Sequence, residues 1–170
     1  MRANAWCWFE LLNALRLSRI ALHARTGKQQ YKGHPDLEAF QGFYELCQHP
    51  LYYNGGIESL SDIRQILIRF PLLKGVFIGR GLLSSPLLAK EFKGNETFLP
   101  EQRMSIYFAF HEELFSAYSQ VLQGETQLLV KMKTLWEYFL PETDRKLLKR
   151  IKKSTRLQQY TESVKAIFTS

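Results

Sequence analysis

The chain has 170 residues and a formal net charge of +7, a length that suits one medium domain or two small ones and needs no disulfide bonds. Its 45% hydrophobic and 23% charged residues fit a globular protein, and no apolar run approaches the length of a transmembrane helix. The two cysteines, Cys7 and Cys47, lack CxxC spacing, which argues against a disulfide framework and against a zinc site. We therefore expect a cytoplasmic protein with reduced thiols, no metal and no membrane contact.

The first half of the chain alternates between strand-like and helix-like segments. After an apolar stretch over residues 1–17 that predicts a helix, three short apolar runs predict strands; these cover residues 19–23, 50–53 and 75–78. Helical spacing fills the gaps, over residues 36–48 behind Pro35 and again after Ser59, which together with Asp62 resembles a capping box. A further helix is expected from Pro86 to about Gly94.

This order predicts an α/β fold with parallel strands, whose ligand sites lie at the carboxyl ends of the strands. From about Glu96 only helical periodicity remains, in four apolar stripes broken near Gly124, Pro141 and Ser154. His111 lies on the first stripe, which predicts a core or interface position for it. We expect two domains, residues 1–95 and a small helical domain at 96–170.

Two glycine-containing loops follow the second and third predicted strands. They are Asn54-Gly55-Gly56 and Gly79-Arg80-Gly81. Glycine lets the backbone approach a phosphate closely, the N-termini of the following helices would direct N–H groups toward it, and arginine can bind it in a bidentate manner. Phosphate sites after the last two strands are common in (β/α)8 barrels. The pair favours a phosphate or cofactor site, with ordinary turns as the alternative.

The loop after the first strand combines a histidine with several positive charges. His23 ends the strand, where it would point into a site and could bind a cofactor or act as an acid. Arg25, Lys28 and Lys32 follow and would attract an anionic substrate. A solvated basic loop with a structural histidine is the alternative on these residues alone.

The C-terminal third carries most of the positive charge. Residues 131–165 contain ten Lys and Arg against four Asp and Glu. Leu147, Leu148 and Ile151 would face inward, which leaves basic side chains on the opposite helix face; these are Arg145, Lys146, Lys149, Arg150, Lys152, Lys153 and, nearby, Arg156. Such a face predicts salt-dependent binding of nucleic-acid phosphates, and a solvated helix surface is the alternative.

Together these motifs resemble the tRNA-dihydrouridine synthase family, from about Leu11 onward. The matching segments are residues 23–27 (His-Ala-Arg-Thr-Gly), 31–33 (Tyr-Lys-Gly), 53–57 (Tyr-Asn-Gly-Gly-Ile), 75–82 (Gly-Val-Phe-Ile-Gly-Arg-Gly-Leu) with Pro86, and the helical regions 131–139 and 145–153. Their order and spacing are similar to the last three βα units of that family's TIM barrel and to its helical RNA-binding domain.

The resemblance implies FMN as cofactor, NADPH as reductant and reduction of a uridine to 5,6-dihydrouridine in tRNA. By motif match it places His23, Asn54, Gly55 and Gly56, together with Gly79 and Arg80, at the FMN site. It places His23 near the target base as well, which must leave its stack to reach the flavin. The helical domain would hold tRNA by its shape and phosphates, and the full-length protein is expected to be a monomer.

Two family features do not occur in these 170 residues. The Asn-x-Gly-Cys-Pro loop that carries the family's catalytic cysteine is missing, and so is the Lys-x-Arg stretch that contacts the flavin. We therefore assign no catalytic residue, and we expect a truncated barrel with Ile20 and Leu22 poorly covered at an open edge, inactive by itself. A non-catalytic RNA-binding module and an FMN oxidoreductase acting on a small molecule are the alternatives; the basic helices argue against the second.

Overall fold

The computed structural model describes residues 3–25, 28–29 and 33–169, with side chains of the first helix described from Phe9 onward. The chain forms two compact units, residues 1–81 and residues 82–170. The boundary between the units follows residue 81, whereas the sequence predicts a first domain that continues to residue 95. Each unit has its own elements and its own core.

The first unit alternates helices with short strands, in the order that the sequence predicts. Its elements are α1 (Ala3–Ala14), β1 (Ile20–His23), α2 (Leu37–Leu46), β2 (Leu51–Asn54), α3 (Leu60–Arg69) and β3 (Gly75–Phe77). The short α4 (Arg80–Ser84) begins in this unit and ends in the second. The predicted capping box of α3 is confirmed, since Ser59 Oγ accepts from the Asp62 N–H and the Asp62 carboxylate accepts from the Ser59 N–H. The helix α4 was not predicted, because it is only five residues long.

The three strands form one parallel sheet in the order β1-β2-β3. Parallel pairing follows from the helices that connect successive strands, and the prediction of a parallel α/β arrangement is confirmed. All three strands therefore end at the same edge of the sheet. That edge is where the glycine-containing loops begin.

One face of the sheet packs against α2 and α3 and forms the core of the first unit. Tyr53 on β2 contacts Phe40 of α2 with ring centroids 4.9 Å apart, and Phe40 contacts Phe70 at the same distance. These side chains and Ile63 are almost completely buried. Because side chains alternate along a strand, burying Tyr53 turns Tyr52 and Asn54 to the opposite face.

The strand β1 lies at one edge of the sheet. Ile20 and Leu22 are half-buried rather than fully covered, and Leu22 lines a mainly apolar cavity of about 870 Å³ together with Phe9, Phe40 and Phe43. Among the described residues no further strand pairs with β1 on its outer side, whereas Ile20 and Leu22 are better covered than predicted. That this edge results from a truncated barrel stays a prediction.

The second unit consists of helices among the described residues. They are α5 (Leu88–Gly94), α6 (Pro100–Val121), α7 (Glu125–Leu135), α8 (Arg145–Lys153) and α9 (Leu157–Phe168). The four predicted apolar stripes fall on α6 to α9, and each supplies buried side chains to one shared core. Met132, Phe139 and Ile151 are completely buried in it.

A buried hydrogen-bonded group joins α6, the residue that follows α7, and α9. The Tyr160 hydroxyl lies 2.7 Å from His111 Nε2 and accepts a hydrogen bond from Trp136 Nε1 at 3.0 Å. Burial lowers the pKa of His111, although its contact with Glu112 opposes the shift. The neutral ring, with its Nδ1–H facing the Glu112 carboxylate, therefore accepts a hydrogen bond from the Tyr160 hydroxyl through Nε2. The predicted core position of His111 is confirmed.

Candidate phosphate-binding site and basic helical face

The candidate site begins with a row of three side chains across the strand ends. His23, Asn54 and Phe77 are the last residues of β1, β2 and β3, and the strand register pairs His23 with Asn54 and Asn54 with Phe77. Residues paired in this way project from the same face of a sheet, with adjacent strands about 5 Å apart. The row therefore forms one wall of a site at the carboxyl edge of the sheet.

The loop after β2 is held in a conformation that favours glycine. Gly55 has φ 151° and Gly56 has φ 57°, a region that residues with a Cβ adopt at a cost. A Cβ on Gly55 would lie 3.1 Å from Pro35 and 3.3 Å from the His23 ring. The loop is thus packed closely between the chain before α2 and the end of β1.

A cavity of about 220 Å³ lies at this edge, entirely within the first unit. It is lined by His23, Asn54, Gly55, Gly56, Ile57, Glu58, Phe77, Gly79 and Arg80. All six residues predicted to contact the cofactor are in this lining. The structure thus brings together residues that are up to 57 positions apart in the chain.

The N-termini of the two adjacent helices differ in what they can offer an anion. The Asp62 carboxylate accepts from the N–H groups of Glu58 and Ser59, so these two groups are not available to an anion. The helix α4 starts at Arg80, directly in the cavity wall. The expectation that both helix N-termini serve the anion stays a prediction; at α3 it is limited to N–H groups that the capping box of Ser59 and Asp62 does not use.

The two glycines that flank Arg80 have different surroundings. A Cβ on Gly79 would have no atom within 4 Å, whereas a Cβ on Gly81 would collide with the backbone oxygen of Ile57. Gly81 is therefore required for the close packing of α4 on the loop after β2. A side chain at Gly79, which lines the cavity and is exposed, would instead enter open space.

The sequence analysis missed three residues of the lining, namely Ile57, Glu58 and Phe77. The signal for Phe77 was available, because it ends its strand as Asn54 does and strand periodicity puts both on one face. Glu58 is exposed, so its carboxylate can extend into solvent. Its position next to the glycines depends on the turn into α3, which the motif alone did not show.

The buried tyrosine behind the glycine loop remains protonated at neutral pH. Burial raises the pKa of the Tyr53 hydroxyl and Asp62 raises it further, whereas Arg25 lowers it. Tyr53 thus supports the loop as a neutral group. Among the residues that the structure describes, no cluster of three or more His, Cys, Asp or Glu side chains could hold a metal ion.

The basic loop after β1 is only partly described. Arg25 is half-buried and donates to the carbonyl of Gly33 at 2.8 Å, so it bridges the loop. Lys28 is exposed. Lys32 lies outside the described residues.

The predicted basic face of the second unit divides into two groups. Lys146, Lys149, Arg150 and Lys153 line a groove of about 400 Å³ between α8 and α9, together with Ser154, Gln159, Glu162 and Ser163. Arg145, Lys152 and Arg156 are exposed but do not line this groove. Of the described part of the chain, no helix is long and apolar enough to cross a membrane.

The first unit is a parallel α/β sheet with a glycine-lined cavity at its carboxyl edge, the edge at which parallel α/β proteins bind their ligands. The model of the dihydrouridine synthase (Dus) family matches residues 10–169. The chain belongs to this family.

Two curated relatives carry the same functional name. A protein named probable tRNA-dihydrouridine synthase from Aquifex aeolicus (strain VF5) is 33% identical over 84 residues, which are 49% of this chain and 26% of that protein. A second protein named probable tRNA-dihydrouridine synthase, from Rhizobium leguminosarum bv. phaseoli, is 36% identical over 67 residues, which are 39% of this chain and 21% of that protein. The matched segments thus span about a quarter and a fifth of these relatives.

Proposed function

We propose that this chain supplies the phosphate-binding end of the flavin site and the tRNA-holding helices of an FMN-dependent tRNA-dihydrouridine synthase. The observation that carries the proposal is the cavity at the sheet edge, in which all six motif residues meet. Membership of the dihydrouridine synthase family supports the reaction class. In that reaction NADPH, through FMN, reduces the C5–C6 double bond of a uridine in tRNA, which we place in the cytoplasm.

The residues of the cavity fit the terminal phosphate of FMN. Gly55 and Gly56 let the loop pack closely on Pro35 at the cavity edge, Gly79 has open space around it, and Arg80 supplies positive charge at the cavity wall. His23 ends β1 beside Gly55, where it would contact the flavin or the target base. When bound, FMN would supply the hydride that the protein side chains cannot carry.

Gly79→Ala and Gly81→Ala form a matched pair that tests the phosphate site. We expect Gly79→Ala to lower FMN affinity about tenfold or more, because its methyl group enters the cavity, and to change the free energy of unfolding by less than about 1 kcal/mol. We expect Gly81→Ala to destabilise the fold by about 1–3 kcal/mol through its collision with Ile57. Flavin fluorescence titration and urea unfolding measure the two effects.

The two readouts distinguish a binding site from an ordinary turn. Unchanged FMN affinity in Gly79→Ala would show that the cavity does not hold the phosphate. A loss of stability in that variant as large as in Gly81→Ala would assign Gly79 a structural role.

We also propose that the 170-residue chain alone does not form dihydrouridine. The family's proton-donating cysteine loop is not among its residues. No motif of the chain assigns the role of that cysteine to His23. We expect unmodified tRNA incubated with the chain, FMN and NADPH to contain no dihydrouridine by mass spectrometry of its nucleosides. Formation of dihydrouridine above a control without protein would contradict the proposal.

A second candidate function is a non-catalytic RNA-binding module. The groove between α8 and α9 favours it, because four basic side chains of one helix gather there. Salt-dependent tRNA binding without any FMN binding would support this function over the first. The exposed basic residues outside the groove, Arg145, Lys152 and Arg156, would then extend the contact to neighbouring phosphates, as Lys28 would from its own loop.

A further inference from the structure

Phe77 is an exposed aromatic side chain in the wall of an anion-binding cavity. Its side chain is 44% exposed at the end of β3, and it lines the cavity together with His23, Asn54 and the glycines. A phosphate alone gains nothing from an apolar wall, because its oxygens need donors and positive charge. A phosphate joined to an aromatic group would cover this ring and remove apolar surface from water.

Tyr52 holds the Phe77 ring in place. The two rings pack edge to face with centroids 5.7 Å apart and an interplanar angle of 78°, a geometry that aromatic pairs prefer. The strand register pairs Tyr52 with Gly75, which has no side chain, and a Cβ at Gly75 would lie 3.3 Å from the Tyr52 ring. Gly75 thus leaves room for the Tyr52 ring, and the Tyr52 ring packs against the Phe77 ring.

We propose that Phe77 is a specificity-determining residue that selects phosphomonoesters carrying an aromatic ring over inorganic phosphate and simple sugar phosphates. This inference deepens the proposed function, because it rests on the same cavity and assigns the aromatic end of the ligand to a residue outside the glycine motifs. Arg80 and the loop backbone recognise the phosphate. Phe77 packs against the aromatic part, and Tyr52 is a positioning residue behind it.

The test compares ligands as well as variants, using the full 170-residue chain. Affinities for inorganic phosphate, ribose 5-phosphate, AMP and FMN are measured by isothermal titration calorimetry for wild type, Phe77→Ala, Phe77→Tyr and Tyr52→Leu. We expect Phe77→Ala to lower the affinity for AMP and FMN about 10- to 100-fold, the effect of losing one stacking ring. Inorganic phosphate and ribose 5-phosphate should change less than about threefold, and Phe77→Tyr should keep near wild-type affinity because the ring remains.

Tyr52→Leu keeps the Phe77 ring but removes the ring that packs against it. We therefore expect this variant to weaken binding of FMN and AMP less than Phe77→Ala does. Equal weakening of all four ligands by Phe77→Ala would overturn the inference, because it would show that the residue only supports the loop. Unchanged FMN and AMP affinity in that variant would overturn it too. Failure of wild type to bind any of the four would overturn both the inference and the proposed site.

The proposed function can fail separately. If wild type binds AMP through Phe77 but does not prefer FMN, the selection of aromatic phosphates stands and the flavin assignment does not. If FMN binds tightly with no contribution from Phe77, the flavin assignment stands and this inference does not.

Discussion

Replacement of Arg103 by Met is expected to destabilise the second unit by about 3 kcal/mol, since it leaves a buried carboxylate without its partner. Glu91 is only 4% exposed and forms an ion pair with Arg103, which also donates to the Tyr107 hydroxyl at 3.2 Å. Burial alone would lower the pKa of Arg103, but its hydrogen bonds to Tyr107 and Glu91 raise it. Removing one partner of a buried ion pair typically costs about 3–5 kcal/mol of folding free energy. The lower value is expected here because the Arg103 side chain is about one third exposed.

Urea unfolding followed by circular dichroism measures this loss. The double variant Arg103→Met with Glu91→Gln should recover part of it, because the neutral amide is less costly to bury than the carboxylate. The matched control is Lys90→Met, which removes an exposed ion pair with Glu96 at 3.7 Å and should change stability by less than about 1 kcal/mol. Equal effects of Arg103→Met and Lys90→Met would show that the buried pair does not stabilise the fold.

Triple replacement of Lys149, Arg150 and Lys153 by Ala is expected to lower tRNA affinity about a hundredfold near 0.1 M salt. The slope of log affinity against log salt should become shallower by about 2 to 3, one step for each lost phosphate contact. All three side chains are exposed and line the groove beside α9. Alanine keeps α8 helical, so the expected loss comes from charge rather than unfolding.

The control variant removes the same formal charge from the first unit. Arg16, Arg64 and Lys74 are exposed there, and their replacement by Ala should leave the salt slope within about 1 of wild type. Filter binding across a salt series measures both variants. Equal losses in the two triples would assign the binding to net charge instead of the groove.

The order of elements in the first unit could be read from local pattern alone. Short apolar runs between segments of helical spacing predicted β1, β2 and β3, and the Ser59–Asp62 spacing predicted the cap of α3. Capping and periodicity depend on residues only a few positions apart, so they predict these elements without knowledge of the rest of the chain. The short helix α4 was missed because five residues carry too little periodicity.

The residues predicted to bind the cofactor were a different case, since two loops at successive strand ends predicted that they would meet. Parallel strands force their carboxyl ends to one edge of a sheet, and the cavity there contains all six. The glycine motif did not show that the Asp62 carboxylate already binds the N–H groups of Glu58 and Ser59 at the start of α3. A motif shows which groups are near a site, but not which are already occupied.

By itself the sequence determined that this is an α/β chain with glycine-containing strand ends, a basic helix and the motifs of the dihydrouridine synthase family. Periodicity, capping and motif spacing are local properties that the residues carry with them. Only the tertiary structure decided that Phe77 shares a wall with His23, that Glu91 and Arg103 pair in a buried position, and which basic residues of α8 line one groove. Those relations depend on strand register and helix packing, which bring together side chains that no local pattern connects.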